Sequence, residues 1–245
     1  MESFKFSSNT IRARAEAIEK AQALIAKEAL FLEIESTSFT EKAEVYEICI
    51  LDSAANLLFH SFVRPSRLYF GYEQKARVDL AILEKAPTWA DIYPKIIGLL
   101  TSQSVIVYNA KHIKLCLTNS SFKAGFVWPK EIAFECAMTI YAAYYGKWNG
   151  KYGEYQYQAL PFSKNEAVGD ALAIHRLINH IASTPPPKIV PPLEHQPFVP
   201  VKVEKPKEVL KHRTREQELR LEAAAIIFWI ALAAIAIGYV LAHLK

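Results

Sequence analysis

The sequence predicts an α/β domain built on a mixed sheet, carried by an extended stalk that ends in one apolar C-terminal helix. Three observations carry this prediction. Apolar runs with strand propensity open the domain as a meander and then alternate with helical periods, which is the pattern of a mixed sheet flanked by helices. Past Ala182 the composition changes abruptly, and residues 184–206 hold eight of the thirteen prolines. Finally, Ala223 to Ala242 are twenty residues without a charge.

Taken in order, 1–28 reads as an N-terminal helical segment, with Ile11, Ala15, Ile18 and Ile25 on one side of a helix expected to pack on the domain edge. No secretory signal is expected from so polar a start. Residues 29–182 then form the main domain. Its first strand lies in Ala29–Thr37, a second in Val45–Leu51, turn chemistry in Asp52–Asn56, and a third strand in Leu57–Val63. Arg64 and Arg67 read as a solvated loop or, less simply, as phosphate contacts. Helices are predicted over 74–84 and 88–100. The second begins at a Thr88 cap, carries Trp89, Ile92, Ile96, Ile97 and Leu100, and is expected to kink or start late because of Pro94. Ser104–Tyr108 reads as a buried strand, 110–122 as a helix, Ile132–Phe134 as a last strand, and 137–145 and 166–181 as helices. Trp148 to Tyr157 is an aromatic loop, suited to packing on the domain or to stacking bases.

Charge is placed unevenly. Residues 1–182 carry 20 Lys and Arg against 19 Asp and Glu, so the formal net charge of +4 lies mainly in the tail. A near-neutral domain has no strong electrostatic footprint for nucleic acid. Cys49, Cys116 and Cys136 stand in apolar surroundings without Cys-x-x-Cys spacing and read as buried thiols in a reducing compartment.

The most informative run is Phe31-Leu32-Glu33-Ile34-Glu35-Ser36-Thr37. Side chains two apart on a strand share a face, so Glu33 and Glu35 project together, either as a cation site or as solvated groups of an edge strand. The run resembles the first motif of the DnaQ-like (DEDD-type) 3′–5′ exonucleases of the ribonuclease H-like superfamily, which reads Asp-x-Glu-Thr-Thr-Gly. Val107-Tyr108-Asn109-Ala110 resembles the start of the second motif. Asn165-Glu166-Ala167-Val168-Gly169-Asp170-Ala171 resembles the third, His-x-Ala-x-x-Asp-Ala, and the whole resemblance spans roughly Ala17 to Ala182.

The resemblance implies a ribonuclease H-like sheet and four carboxylates that hold two divalent metals roughly 4 Å apart, with a His or Tyr as general base. Carried over residue by residue, it names Glu33, Glu35 and Asp170 as metal ligands, and Thr37, Tyr108 and Asn109 as nucleic-acid contacts. Departures are evident. Glu33 stands where the family has Asp, and the extra methylene displaces the carboxylate by about 1 Å against a tolerance of about 0.5 Å. Ile113 replaces the metal-binding Asp of the second motif, and Asn165 replaces the His of the third. Neither side chain can do the chemistry it replaces. His112 and His175 are the nearest histidines and are expected to be surface or groove residues. The short run Ala159–Lys164, where relatives carry another helix, is expected to leave the groove less enclosed. A weakly held Mg²⁺ or Mn²⁺ is the cofactor implied.

The tail completes the expected organisation. Residues 183–206 read as a proline-rich spacer and 207–222 as a charged juxtamembrane helix with a Glu216–Arg220 pair. Residues 223–242 would span about 30 Å as a helix, the thickness of a bilayer's hydrocarbon core. Lys205, Lys207, Lys211, Arg213, Arg215 and Arg220 precede this span, so a single-pass C-terminal anchor with the domain in the cytoplasm is expected. Three functions compete: a catalytically impaired module that binds nucleic acid, an active 3′–5′ exonuclease using Glu33, Glu35 and Asp170, and a scaffold for an unidentified protein partner.

Overall fold

The computed structural model describes residues 8–67 and 78–187. Strand β1 (Leu30–Ser36) is buried along nearly its whole length and takes the middle of a five-stranded sheet of order β3-β2-β1-β4-β5. The edge-strand alternative for Glu33 and Glu35 is therefore wrong: β1 has a hydrogen-bonded neighbour on each side. β2 (Val45–Leu51) runs antiparallel to β1 and to β3 (Leu57–Phe62), whereas β4 (Val105–Val107) and β5 (Phe134–Cys136) run parallel to β1. Such a mixed sheet, flanked by helices, fits the ribonuclease H-like arrangement.

The alternation of β1 sorts the core into two layers. Leu30, Leu32 and Ile34 face α3 (Trp89–Leu100) and α4 (Ala110–Lys123), where Ile96, Leu100, Ile113 and Leu117 are fully buried. Phe31 faces the opposite layer of α1 (Ser8–Ala26), α5 (Ala137–Tyr145) and α6 (Ala167–Ser183), packed through Ile18, Ile140, Ile174 and Ile178. Each such fully buried aliphatic side chain contributes about 1.5–3 kcal/mol relative to exposure. Helix α1 is thus a working part of this layer, held also by a Lys20–Glu135 ion pair at 2.7 Å, and not an addition to the domain edge.

Local chemistry explains most boundaries. Asp52 accepts hydrogen bonds from the Ala54 amide, the Asn56 amide and Asn56 Nδ2 at 2.8–2.9 Å, which fixes the β2–β3 turn and holds its own pKa below the usual carboxylate value. Helix α3 starts directly after Thr88, whose amide and hydroxyl both donate to Asp91, and Pro94 lies inside it without delaying the start. Helix α2 is only Leu80–Lys85, with Asp79 as its cap, while the expected residues 74–77 lie outside those described. Strand β5 begins at Phe134, not Ile132, because Ile132 is spent in the α3/α4 core before pairing starts. The aromatic loop is a small hairpin, β6 (Trp148–Asn149) with β7 (Glu154–Tyr155). Cys49 and Cys116 are buried as expected, but Cys136 is only half-buried, its Sγ accepting the Ala110 amide at 3.5 Å.

Among the described residues no helix is long and apolar enough to cross a membrane. The spacer beyond residue 187, the charged segment 207–222 and the apolar span 223–242 lie outside them.

Candidate functional site

The middle strand carries Glu33 and Glu35 to the layer of α6, which brings Asp170 in its first turn. Glu33 is buried; its Oε1 accepts the Ile34 amide at 3.1 Å, and its Oε2 is buried without a hydrogen-bond partner. Desolvation pushes its pKa well above the ordinary carboxylate value. The Ile34 amide opposes the rise, the charges of Asp170 and Glu35 add to it, and the Tyr108 backbone opposes it slightly. Three of the implied groups are thus electrostatically coupled. Tyr46 donates its hydroxyl to Glu35 Oε2 at 3.4 Å.

Asp170 is held from the other side. Its Oδ2 accepts the Ser163 hydroxyl at 2.8 Å, and its Oδ1 accepts the Lys164 and Asn165 amides at 2.6 and 3.2 Å. This segment comes so close because residue 169 is glycine: a Cβ there would stand 3.0 Å from Lys164 Cβ and 2.9 Å from Glu166 Oε1. The run before the third motif therefore folds over Asp170. The same contacts place Asn165 in the site as a backbone donor, at a φ of 56°, with its side chain exposed.

A fourth carboxylate was not singled out by sequence. Glu47 pairs directly with Glu35 in the β1–β2 register and therefore shares its face. It is buried; Oε2 accepts the Ala167 amide at the start of α6 at 3.3 Å, and Oε1 lies 2.8 Å from His60 Nε2. A cleft of about 340 Å³ lies beside it, lined by Tyr46, Glu47, Phe62, Lys164, Asn165 and other residues. The signal that could have found Glu47 is a charged residue inside an apolar strand, the same signal that singled out Glu33.

The remaining motif residues are used by the fold. Ile113 is 1% exposed and packs in the α3/α4 layer, on the other side of the sheet from the carboxylates. Asn109 is the left-handed N-cap of α4, its side chain accepting the His112 amide. Tyr108 donates its hydroxyl to the Gln158 carbonyl at 2.7 Å. Thr37 is buried, exchanging hydrogen bonds with the Glu44 backbone, although it lines an open cleft of about 750 Å³ with Lys42, Arg67 and Lys123. Arg64 is turned to the end of α2, donating to the Glu84 carbonyl at 3.3 Å.

Neither candidate histidine faces the carboxylates. His112 Nε2 lies 2.9 Å from Ser36 Oγ and 3.5 Å from Cys116 Sγ, the ring tilts against Phe39, and burial lowers its pKa. His112 sits on α4 beside Cys116, in the layer that packs on Leu32 and Ile34. His175 packs edge-on to Phe31 and lies 3.1 Å from the Ser53 carbonyl oxygen.

A divalent cation would find one ready donor here, the partnerless Oε2 of Glu33. Asp170 already has both oxygens engaged by segment 163–165, and no group of three or more His, Cys, Asp or Glu side chains among the described residues is placed to hold an ion. The donor set as arranged does not form a cage.

No protein-family profile matches the chain. A curated relative, the uncharacterized exonuclease CP81 of Escherichia phage 186, is 26% identical over 151 residues, covering 58% of this chain and 76% of the relative. The domain is exonuclease-like on that similarity. Among solved structures, the crystal structure of E. coli Exonuclease I in complex with an oligonucleotide aligns with a TM-score of 0.47 at 13% identity, covering 62% of this chain. The chain spans 40% of the length of that structure.

Proposed function

We propose that this chain is a membrane-tethered protein whose exonuclease-fold domain has lost most or all hydrolytic capacity and binds nucleic acid instead. One observation carries the reading: at the second-motif position the chain places Ile113, buried in the hydrophobic layer across the sheet from the carboxylates. An aliphatic side chain supplies no oxygen to a cation, and the fold there is organised around its burial. The engagement of Asp170 by Ser163, Lys164 and Asn165 supports the same reading, as does an exposed Asn165 where a base would be needed. The Mg²⁺ or Mn²⁺ that the motifs imply would need Glu33, Glu35 and Asp170 to leave the arrangement described above before they could share it, which fits a weak site at most.

A second reading, a metal-dependent 3′–5′ exonuclease, is favoured by the buried partnerless Oε2 of Glu33 and by the additional carboxylate Glu47 on the same face. Incubating the full chain with labelled single-stranded DNA or RNA in Mg²⁺ and Mn²⁺ separates the two. The proposal expects retention of the strand with no metal-dependent release of nucleotides. Release that disappears in both Glu35→Ala and Asp170→Ala would sink it.

A further inference from the structure

We infer that the β6–β7 hairpin is a second contact surface for single-stranded nucleic acid, one on which bases stack; this rests on the nucleic-acid reading above. The hairpin is held by a cross-strand ring pair and by a tied tip. Trp148 and Tyr155 are cross-strand partners whose rings meet edge to face, with centroids 5.1 Å apart and planes at 76°. The tip is tied by Asn149: its Oδ1 accepts the Lys151 amide at 3.1 Å, and its carbonyl accepts the Tyr152 and Gly153 amides at 3.2 and 2.9 Å. Gly153 takes φ 68°, which closes the turn and which other residues rarely adopt.

This scaffold holds aromatic faces in water. Trp148 is 54% exposed, Tyr152 66% and Tyr157 52%. Tyr155 is engaged by Trp148 and by the Asn9 carbonyl, to which its hydroxyl donates at 3.4 Å, whereas Trp148 keeps half its surface in water despite that ring contact, as do Tyr152 and Tyr157. The charge beside them is net positive: Lys147 and Lys151 are exposed against one exposed carboxylate, Glu154 on β7, and Lys151 Nζ lies 5.2 Å from the centre of the Tyr152 ring. Exposed rings interleaved with ammonium groups suit a strand whose bases stack while its phosphates meet the lysines. The surface also leads toward the motif residues. The chain leaving β7 runs through Tyr157 to Gln158, which is tied to Tyr108 at the end of β4.

The test is fluorescence anisotropy of labelled oligothymidylate and oligouridylate on the full chain at low salt. Trp148→Ala, Tyr152→Ala and Tyr157→Ala should each weaken binding roughly tenfold, the loss of about one stacked base. Lys147→Glu with Lys151→Glu should weaken binding further and flatten its salt dependence. Melting temperatures should stay unchanged, and Trp148→Phe and Tyr152→Phe should retain most of the binding. Unaltered binding in the alanine variants overturns the hairpin surface and leaves the nucleic-acid reading standing. Equal loss in the Phe and Ala variants overturns stacking. Failure of the unaltered chain to bind either strand overturns both.

Discussion

Glu33 is the residue on which the site's electrostatics turn. Its carboxyl is desolvated, coupled to Asp170 and Glu35, and leaves Oε2 without a partner. A folded-state pKa raised above the unfolded value of about 4.5 means that the folded chain holds the extra proton. Stability from this group is therefore full below about pH 4.5 and is lost as pH rises through the folded pKa. In chelator, Glu33→Gln should melt higher than the unaltered chain at neutral pH, and the difference should vanish toward pH 4.5. A melting difference that grows on acidification would contradict this. Ile113 makes the opposite point. Placing a carboxylate there, as Ile113→Asp, removes a packed side chain and buries a charge, together costing about 3 kcal/mol or more. Thermal melting should fall by roughly 6–12 °C for a domain of this size. Gain of nuclease activity without loss of stability would show that position 113 faces the carboxylates after all. Of these two residues, the sequence made the chemistry of both legible, because carboxylate against aliphatic is a difference in composition. That Ile113 belongs to the opposite side of the sheet was not legible, because only the packing of α4 reveals it.

The elements that sequence placed well are those with long periodic patterns. β2, α3, α4 and α5 fall within a residue or two of their expected ends, because their apolar spacing is sustained over seven or more residues. β5 and the β6–β7 hairpin were misread because two- and three-residue strands carry no period, and their existence depends on β4 and on the Asn149 turn. Glu47 was missed for a related reason. Its role comes from the β1–β2 register and from the docking of α6, both long-range features of the fold. Glu47 joins two elements: it receives the first amide of α6 and faces His60 on β3. Glu47→Ala should leave the Ala167 amide without a partner and cost about 1–3 kcal/mol. Hydrogen exchange should then accelerate most in the first turn of α6, next to Asp170. Uniform acceleration through all helices would instead point to a general loss of packing with no special link between β2 and α6.

For the whole chain, the sheet and its two helical layers set the domain, and the proposed tether rests on the proline-rich segment and the uncharged span after it. The tethered part of the proposal stands on sequence physics alone. Twenty residues without a charge match the hydrocarbon core at about 1.5 Å per residue, and six Lys and Arg side chains lie in 205–220, just before the span. Such a segment loses more by staying in water than by entering a bilayer. Expressed full-length, the chain should sediment with membranes and stay there through an alkaline carbonate wash. Ending the chain after Glu222 should move it to the soluble fraction without changing its melting or its binding of single strands. In inverted vesicles the domain should be open to added protease if the basic residues before the span stay on the cytoplasmic side. A full-length chain that the carbonate wash releases would remove the anchor from the proposal. The domain would then act away from the membrane, with its nucleic-acid reading judged by the binding measurements alone.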